Sequence, residues 1–242
     1  MDIIFQDDYL VAINKPPGLL VHRSAIDKRE TRFAVQLLRD ALGRRIYPVH
    51  RLDKPTSGVL LFALDQAMAR AMGEIFSRGE VQKTYRVIVR GFTPQQGLID
   101  YPLREQRDKM TDNLARADKP PQAAITAYRR LMAAEFQVPV EPYSTARYSL
   151  LEVVPQTGRK HQIRRHMKHI FHPVVGDTTH GDGRHNRFFR DQLDCSRMLL
   201  HANSMEFRHP VTTQPVHISA ETDPEFSRVL AELEKHRASP PA

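Results

Sequence analysis

His50-Arg51-Leu52-Asp53-Lys54-Pro55-Thr56-Ser57-Gly58, running on into Val59-Leu60-Leu61-Phe62-Ala63-Leu64, is the stretch that decides how this chain folds. Pro55 fixes φ and Gly58 permits a bend, so a turn separates the charged residues from the apolar run. A short apolar run bounded by a turn reads as a buried strand. Asp53 therefore sits between the fixed charges of Arg51 and Lys54, in a loop leading into a core strand. Such a loop is a good platform for a catalytic group. On spacing alone the plainer reading is favoured, a surface carboxylate offset by its cationic neighbours.

Working outward, Tyr9-Leu10-Val11-Ala12-Ile13 is a strand candidate ended by the turn signal Asn14-Lys15-Pro16-Pro17-Gly18. Residues 31–42 carry helical spacing, with Val35, Leu38 and Leu42 on one face. Asp65 is placed to cap a helix through Met68, Met72, Ile75 and Phe76, which Gly79 would end. Residues 84–89, 125–131 and 147–154 read as strands. Between them, residues 108–121 and 138–144 are polar or proline-bearing and read as surface excursions. Residues 225–236 are helical by pattern, and 237–242 read as a frayed tail. With no repeat, heptad or linker, residues 1–242 are expected to form one α+β domain, strand-rich with flanking helices.

Length and composition bound the function. The chain has 242 residues, 26% charged and 40% hydrophobic, ordinary values for a globular protein with ample core. No apolar run approaches the roughly 20 residues that span a bilayer. The acidic N-terminus is unlike a secretory signal, and the single cysteine, Cys195, fits a reducing compartment, so a cytoplasmic location is expected. The net charge of +8 and pI of about 9.8 match the electrostatic footprint of a nucleic-acid binder. Basic residues gather at Arg159, Lys160, Arg164, Arg165 and Lys168. Read as a helix, that segment lines up Lys160, Arg164 and Lys168 on one face. Composition divides evenly between a solvated helix face and an RNA contact.

Several familiar chemistries are unsupported. There is no glycine-rich phosphate loop followed by Lys-Ser/Thr. The His-Arg-Leu-Asp order only mimics a kinase catalytic loop, with Leu and Asp transposed and no Asp-Phe-Gly following. His166, His169 and His172 are spaced by three, yet no cysteine or nearby carboxylate completes a usual metal set, so neither metal nor cofactor is expected. What remains is a lone Asp in a basic setting, an Arg-rich segment, and Tyr85 within Lys83-Thr84-Tyr85-Arg86. A buried carboxylate beside an arginine stays ionised, which suits a nucleophile or base. Tyr85 offers an aromatic face that can stack on a base, although by frequency alone a half-buried strand tyrosine is the better reading.

His50-Arg51-Leu52-Asp53 with Thr56-Ser57-Gly58 resembles the signature of the RluA-type pseudouridine synthases. Further segments agree in the family's order: Lys15-Pro16-Pro17-Gly18, Lys83-Thr84-Tyr85, Gly158-Arg159-Lys160-His161-Gln162-Ile163-Arg164, His172-Pro173, Gly176-Asp177, Leu200-His201-Ala202 and His209-Pro210. The resemblance implies a catalytic fold with a mixed, mostly antiparallel β-sheet flanked by helices, and isomerisation of uridine to pseudouridine in RNA. It implies Asp53, Tyr85 and Arg164 as catalytic residues, with Asp53 essential, Tyr85 stacked on the target base and Arg164 paired with Asp53. Ile163 would pack against the uracil, and Arg51 would fill the gap left by the flipped base. His50, Lys83, Arg159, Lys160, Arg165 and Lys168 are the remaining RNA-binding candidates. No N-terminal S4 domain is expected, because the catalytic region begins by residue 3.

His180, where many members have tyrosine, the long excursion at 108–121 and Arg164-Arg165-His166 resemble a branch acting on tRNA at uridine-65 in the T stem. RNA, tRNA foremost, is the expected partner; no membrane or protein partner is inferred. The alternatives are a ribosomal RNA or another tRNA site and, from another class, a non-catalytic RNA-binding protein.

Overall fold

The computed structural model describes residues 1–22, 31–105 and 120–240. Its centre is the apolar run after Gly58. Strand β4 (Ser57–Ala63) is buried along its whole length. Val59, Leu61 and Ala63 pack with Met68, Met72 and Ile75 of helix α2 (Gln66–Ser77). Leu60 and Phe62 pack with Val11, Ile13 and, from helix α1 (Ala34–Leu42), Ala34 and Leu38. Alternate side chains of a strand face opposite ways, so a strand covered on both faces must be apolar throughout.

The other strands are β1 (Ile3–Gln6), β2 (Leu10–Lys15), β3 (Tyr47–Pro48), β5 (Gln82–Arg90), β6 (Gln96–Asp100), β7 (Ile125–Phe136), β8 (Ala146–Pro155), β9 (Leu200–Arg208) and β10 (Pro215–Ser219). They join β4 in one sheet of order β1-β2-β4-β9-β5-β8-β7-β6, with β3 on β4 and β10 on β9. Only the β4–β9 pairing is parallel among the described strands, at Ser57↔His201 and Gly58↔Ala202. Helix α3 (Gln162–His169) packs Ile163 and Met167 against Val87, Val89, Leu151 and Val153. Helices α4 (Gly183–Leu193) and α5 (Pro224–Lys235) cover the β7–β8 end through Phe188, Phe189, Phe226 and Val229. The fold is the expected α+β arrangement with a mixed, mostly antiparallel sheet.

Local expectations hold with informative differences. Asp65 caps α2 by accepting from Met68 N–H at 2.7 Å, and Gly79 follows the helix with φ 73°. The helix expected from residue 31 starts at Ala34, because Phe33 is extended and bridges Leu20. The 138–144 segment is not purely a surface excursion: Val140 is buried in the β7–β8 core and bridges Tyr143. The tail is tied down further than expected. Arg237 bridges Ala134, and Ala238 N–H donates to Ala133 O at 2.9 Å. Most of the 108–121 excursion, residues 108–119, lies outside the described residues, as do 241–242.

The basic segment needs the largest correction. His161 is left-handed (φ 55°) and α3 begins only after it, so Lys160 lies outside the helix. Arg164 points inward and is buried, whereas Lys168 is exposed. The three cations do not form one face, because the helix must turn its Ile163–Met167 stripe to the sheet.

Candidate active site

The Asp53 loop is held from several sides. Thr56 N–H donates to Asp53 O at 3.0 Å, closing the turn, and Gly18 N–H donates to Lys54 O at 2.9 Å. Lys15, 0% exposed, donates from Nζ to the carbonyls of Pro16, Leu19 and Lys54 at 2.9, 2.8 and 3.1 Å. Burial and the Arg197 charge push its pKa down to about 7, against the pull of Asp53. Three acceptors match the three protons of an ammonium, whereas a neutral amine has two, so the geometry favours the charged form. Behind the loop, Ser57 Oγ lies 2.8 Å from His201 Nδ1 and accepts from Arg197 Nη2 at 2.9 Å. His201 Nε2 faces Ala220 O at 3.0 Å, so Nε2 carries the proton and Ser57 donates to Nδ1.

Asp53 itself keeps 20% of its side chain exposed and receives Arg164 Nη1 on Oδ2 at 3.0 Å. Arg164 donates its other two groups, Nε and Nη2, to the two oxygens of Asp177 at 2.6 and 2.8 Å. Asp177 is buried and also accepts from the N–H groups of Thr179 and His180. Although burial opposes it, these donors hold the Asp177 carboxyl below the usual carboxylate range. Asp177 thus fixes the guanidinium plane, and the one remaining fork arm reaches Asp53. His161 Nε2 stands 3.8 Å from Asp53 Oδ2, and its Nδ1 lies 3.1 Å from His180 Nε2. Burial, opposed by the charge of Asp53, pushes the His161 pKa down to about 4, so its ring is neutral at pH 7.

A cleft of about 730 Å³ opens over this group. Asp53, Tyr85, Arg164, Arg51, Ile163, His50, Lys83, Arg159 and Lys160 all line it. Arg165 and Lys168 do not; they belong to the other side of α3. Tyr85 is held a neutral phenol, since burial and then the Asp53 charge raise its pKa. It can stack or relay a proton but does not stand as a phenolate. His50 lines the cleft with one nitrogen committed, its Nε2 accepting from Leu61 N–H at 3.0 Å. Burial holds its pKa at about 3, so it offers the cleft a neutral ring rather than a cation. Arg159 donates from Nε to Ala123 O at 3.1 Å, while Arg51 is exposed. A second cleft of about 810 Å³ meets the first at Arg51, Asp53, Lys160, His161 and Arg164. Asp53 is therefore reachable from two sides, as an extended polymer substrate requires.

The three histidines spaced by three diverge. His166 bonds Thr126 Oγ1 and Tyr101 O, His169 stacks on Tyr101 at 3.7 Å, and His172 Nδ1 faces Arg90 O at 2.8 Å. No cluster able to hold a metal occurs among the described residues. Sequence reasoning assigned no role to Asp177, His161 or Lys15. Asp177 had a signal, an acid thirteen positions beyond Arg164 in a basic stretch. Nothing local marked Lys15 as buried.

Among the described residues a ten-stranded mixed sheet presents an Asp–Arg–Asp group and a tyrosine in one basic cleft, and likeness to known proteins makes the chain an RNA-modifying isomerase. The chain belongs to the RNA pseudouridylate synthase family, which it matches over residues 9–169. It is 50% identical over 233 residues to tRNA pseudouridine synthase C of Vibrio cholerae, covering 96% of each chain. It is 49% identical over 230 residues to tRNA pseudouridine synthase C of Haemophilus influenzae, covering 95% of this chain and 96% of that one. Among solved structures, human RNA pseudouridylate synthase domain containing 4 superposes with a TM-score of 0.73 at 26% identity, covering 99% of this chain and 95% of that chain. No helix among the described residues is long and apolar enough to cross a membrane.

Proposed function

We propose that this chain is a single catalytic domain that converts uridine to pseudouridine in tRNA, at uridine-65 of the T stem, with Asp53 as the catalytic carboxylate. The observation that carries the chemistry is Arg164, locked by Asp177 and donating to Asp53 at 3.0 Å inside the cleft that also holds Tyr85. Asp53 acts on the ribose as the N1–C1′ bond breaks, through a C1′ adduct or a glycal. The uracil then turns and joins through C5. The C5 proton leaves and N1 gains one, so the mass of the RNA is unchanged. Tyr85 holds the uracil by stacking and is placed to relay the C5 proton; Ile163 packs on its other side. Arg51, exposed at the junction of the two clefts, fills the stack left by the flipped nucleotide. The tRNA assignment is supported by the relatives at half identity, and the position by the branch that His180 and the 108–121 segment resemble.

Pseudouridine mapping of cellular RNA with wild-type protein, with Asp53→Asn and without the protein tests this reading. One tRNA uridine is expected to lose its modification in the absence of the protein and in the variant, with purified Asp53→Asn slowed at least about 1,000-fold. Retained activity in that variant would remove Asp53 from the reaction. A change confined to ribosomal RNA would move the substrate.

A further inference from the structure

The proposed mechanism leaves one conspicuous side chain unused. Phe171 follows the last turn of α3, with φ 64° and 80% of its surface exposed. Its N–H donates to Lys168 O at 3.0 Å, and His172 N–H donates to Met167 O at 2.8 Å. These crossed bonds end a helix on a left-handed residue, a position that favours glycine because a Cβ is crowded there. An aromatic residue at that point carries backbone strain and also leaves its ring in water. Neither is offset within the chain: among the described residues Phe171 joins no hydrophobic cluster and no ring packs on it. The left-handed turn closes the helix, but nothing in it calls for an aromatic side chain, and an exposed ring at a strained position is a pointer to function.

The surroundings indicate what the ring is for. Lys168 and His169 are exposed on the same last turn, and Arg165 lies one turn back. Arg90 donates from Nη2 to Phe171 O at 3.3 Å while its Nη1 is paired with Asp182 at 2.6 Å. The helix-end carbonyls are closed by the chain's own N–H groups, so the feature offered to a partner is a π-face. An exposed ring on the helix end that also carries the exposed Lys168 fits a nucleobase and its phosphate, since stacking needs only a π-face and a cation tracks the backbone.

We propose that Phe171 is a stacking platform for an unpaired base of the substrate RNA. It stands past the end of α3, seven residues beyond Arg164, and lines neither cleft. The inference rests on the RNA-modifying function proposed above and extends the substrate's footprint past the cleft.

The test uses full-length protein, in vitro transcribed tRNA, and the variants Phe171→Gly, Phe171→Leu and Phe171→Trp. Phe171→Gly and Phe171→Leu are expected to raise both the Kd for tRNA and the KM at least about five-fold, with kcat little changed, and Phe171→Trp to stay near wild type. Glycine relieves the backbone, so Phe171→Gly is expected to melt no lower than wild type while it binds RNA less well. Unchanged Kd and KM in Phe171→Gly would overturn the proposal. So would a lowered melting temperature in that variant, which would make the ring structural, or altered self-association with RNA affinity intact, which would make it a protein contact. Wild-type protein that forms no pseudouridine in tRNA would sink the proposed function instead; Phe171 is then judged on its Kd for the same RNA.

Discussion

One guanidinium serves two carboxylates in this site, and the division between them is unequal. Arg164 gives Asp177 two hydrogen bonds and Asp53 one. Asp177, with its side chain 0% exposed, is therefore the anchor, and the partly exposed Asp53 is the carboxylate left open to the cleft. Removing one partner of a buried ion pair leaves the other charge uncompensated, which costs about 3–5 kcal/mol. Asp177→Ala is expected to destabilise the protein by that amount in urea titration, since the N–H groups of Thr179 and His180 lose their acceptor as well. Asp53→Asn is expected to shift stability by less than about 1 kcal/mol. A loss in Asp53→Asn as large as that in Asp177→Ala would make Asp53 a structural residue. Rescue of activity by Asp177→Glu is not expected, because the longer side chain displaces a guanidinium held at 2.6 and 2.8 Å.

The Asp53 turn leads into a strand that meets another, far away in sequence, in close contact at a glycine. Gly58, second in β4, lies beside β9 with φ 105°, and a Cβ there would lie 2.2 Å from Ala202 O. Gly58→Ala combines forbidden φ with backbone overlap and is expected to cost about 3 kcal/mol or more. It should also lower kcat, because the Asp53 turn is continuous with the displaced strand; a melting curve and single-turnover assay on the folded fraction check both. An alanine variant with wild-type stability would mean that β4 and β9 are not closed here. The turn and the strand were legible in the sequence, since Pro55, Gly58 and an unbroken apolar run are local signals. The β4–β9 pairing was not, because no residue near Gly58 announces Ala202. Lys160, Arg164 and Lys168 failed as a single face for a related reason. Their i, i+4 spacing is real, but the left-handed turn at His161 and the demand to bury Ile163 and Met167 decide where the helix starts and turns. Asp53, Tyr85 and Arg164 were singled out through the order of segments along the chain; Asp177 and Lys15 stood in segments of the same order, but what they hold depends on tertiary contacts that order does not disclose.

At the scale of the whole molecule, the histidines set the protein's tolerance of acid. His50, His161, His166, His172, His180, His185 and His201 all have pKa values lowered, in each case with burial as the largest cause. Three are pushed far: His50 to about 3, and His161 and His185 to about 4. Unfolded, each titrates near 6.5. Above that pH both states hold neutral rings and the shifts have no effect. Between about 6.5 and the folded values, the unfolded chain binds more protons, so stability falls as pH falls. One proton difference changes stability by about 1.4 kcal/mol per pH unit, so these three alone give a slope of about 4 kcal/mol per unit near pH 5. The carboxyls of Asp177 and Asp182, both held below their ordinary range, titrate later and leave this window to the histidines. Integrated from pH 6.5 to 5, the three histidines remove about 5 kcal/mol, comparable to the whole stability of many domains. Cooperative unfolding by far-ultraviolet circular dichroism is expected with a midpoint between about pH 4 and 5.5. The urea midpoint at pH 5.5 should already lie well below that at pH 7.5. A chain that stays folded to pH 3 would mean that these rings are not neutral and buried as they stand here. The neutral imidazole beside Asp53 and the one behind Leu61 would then need another protonation state.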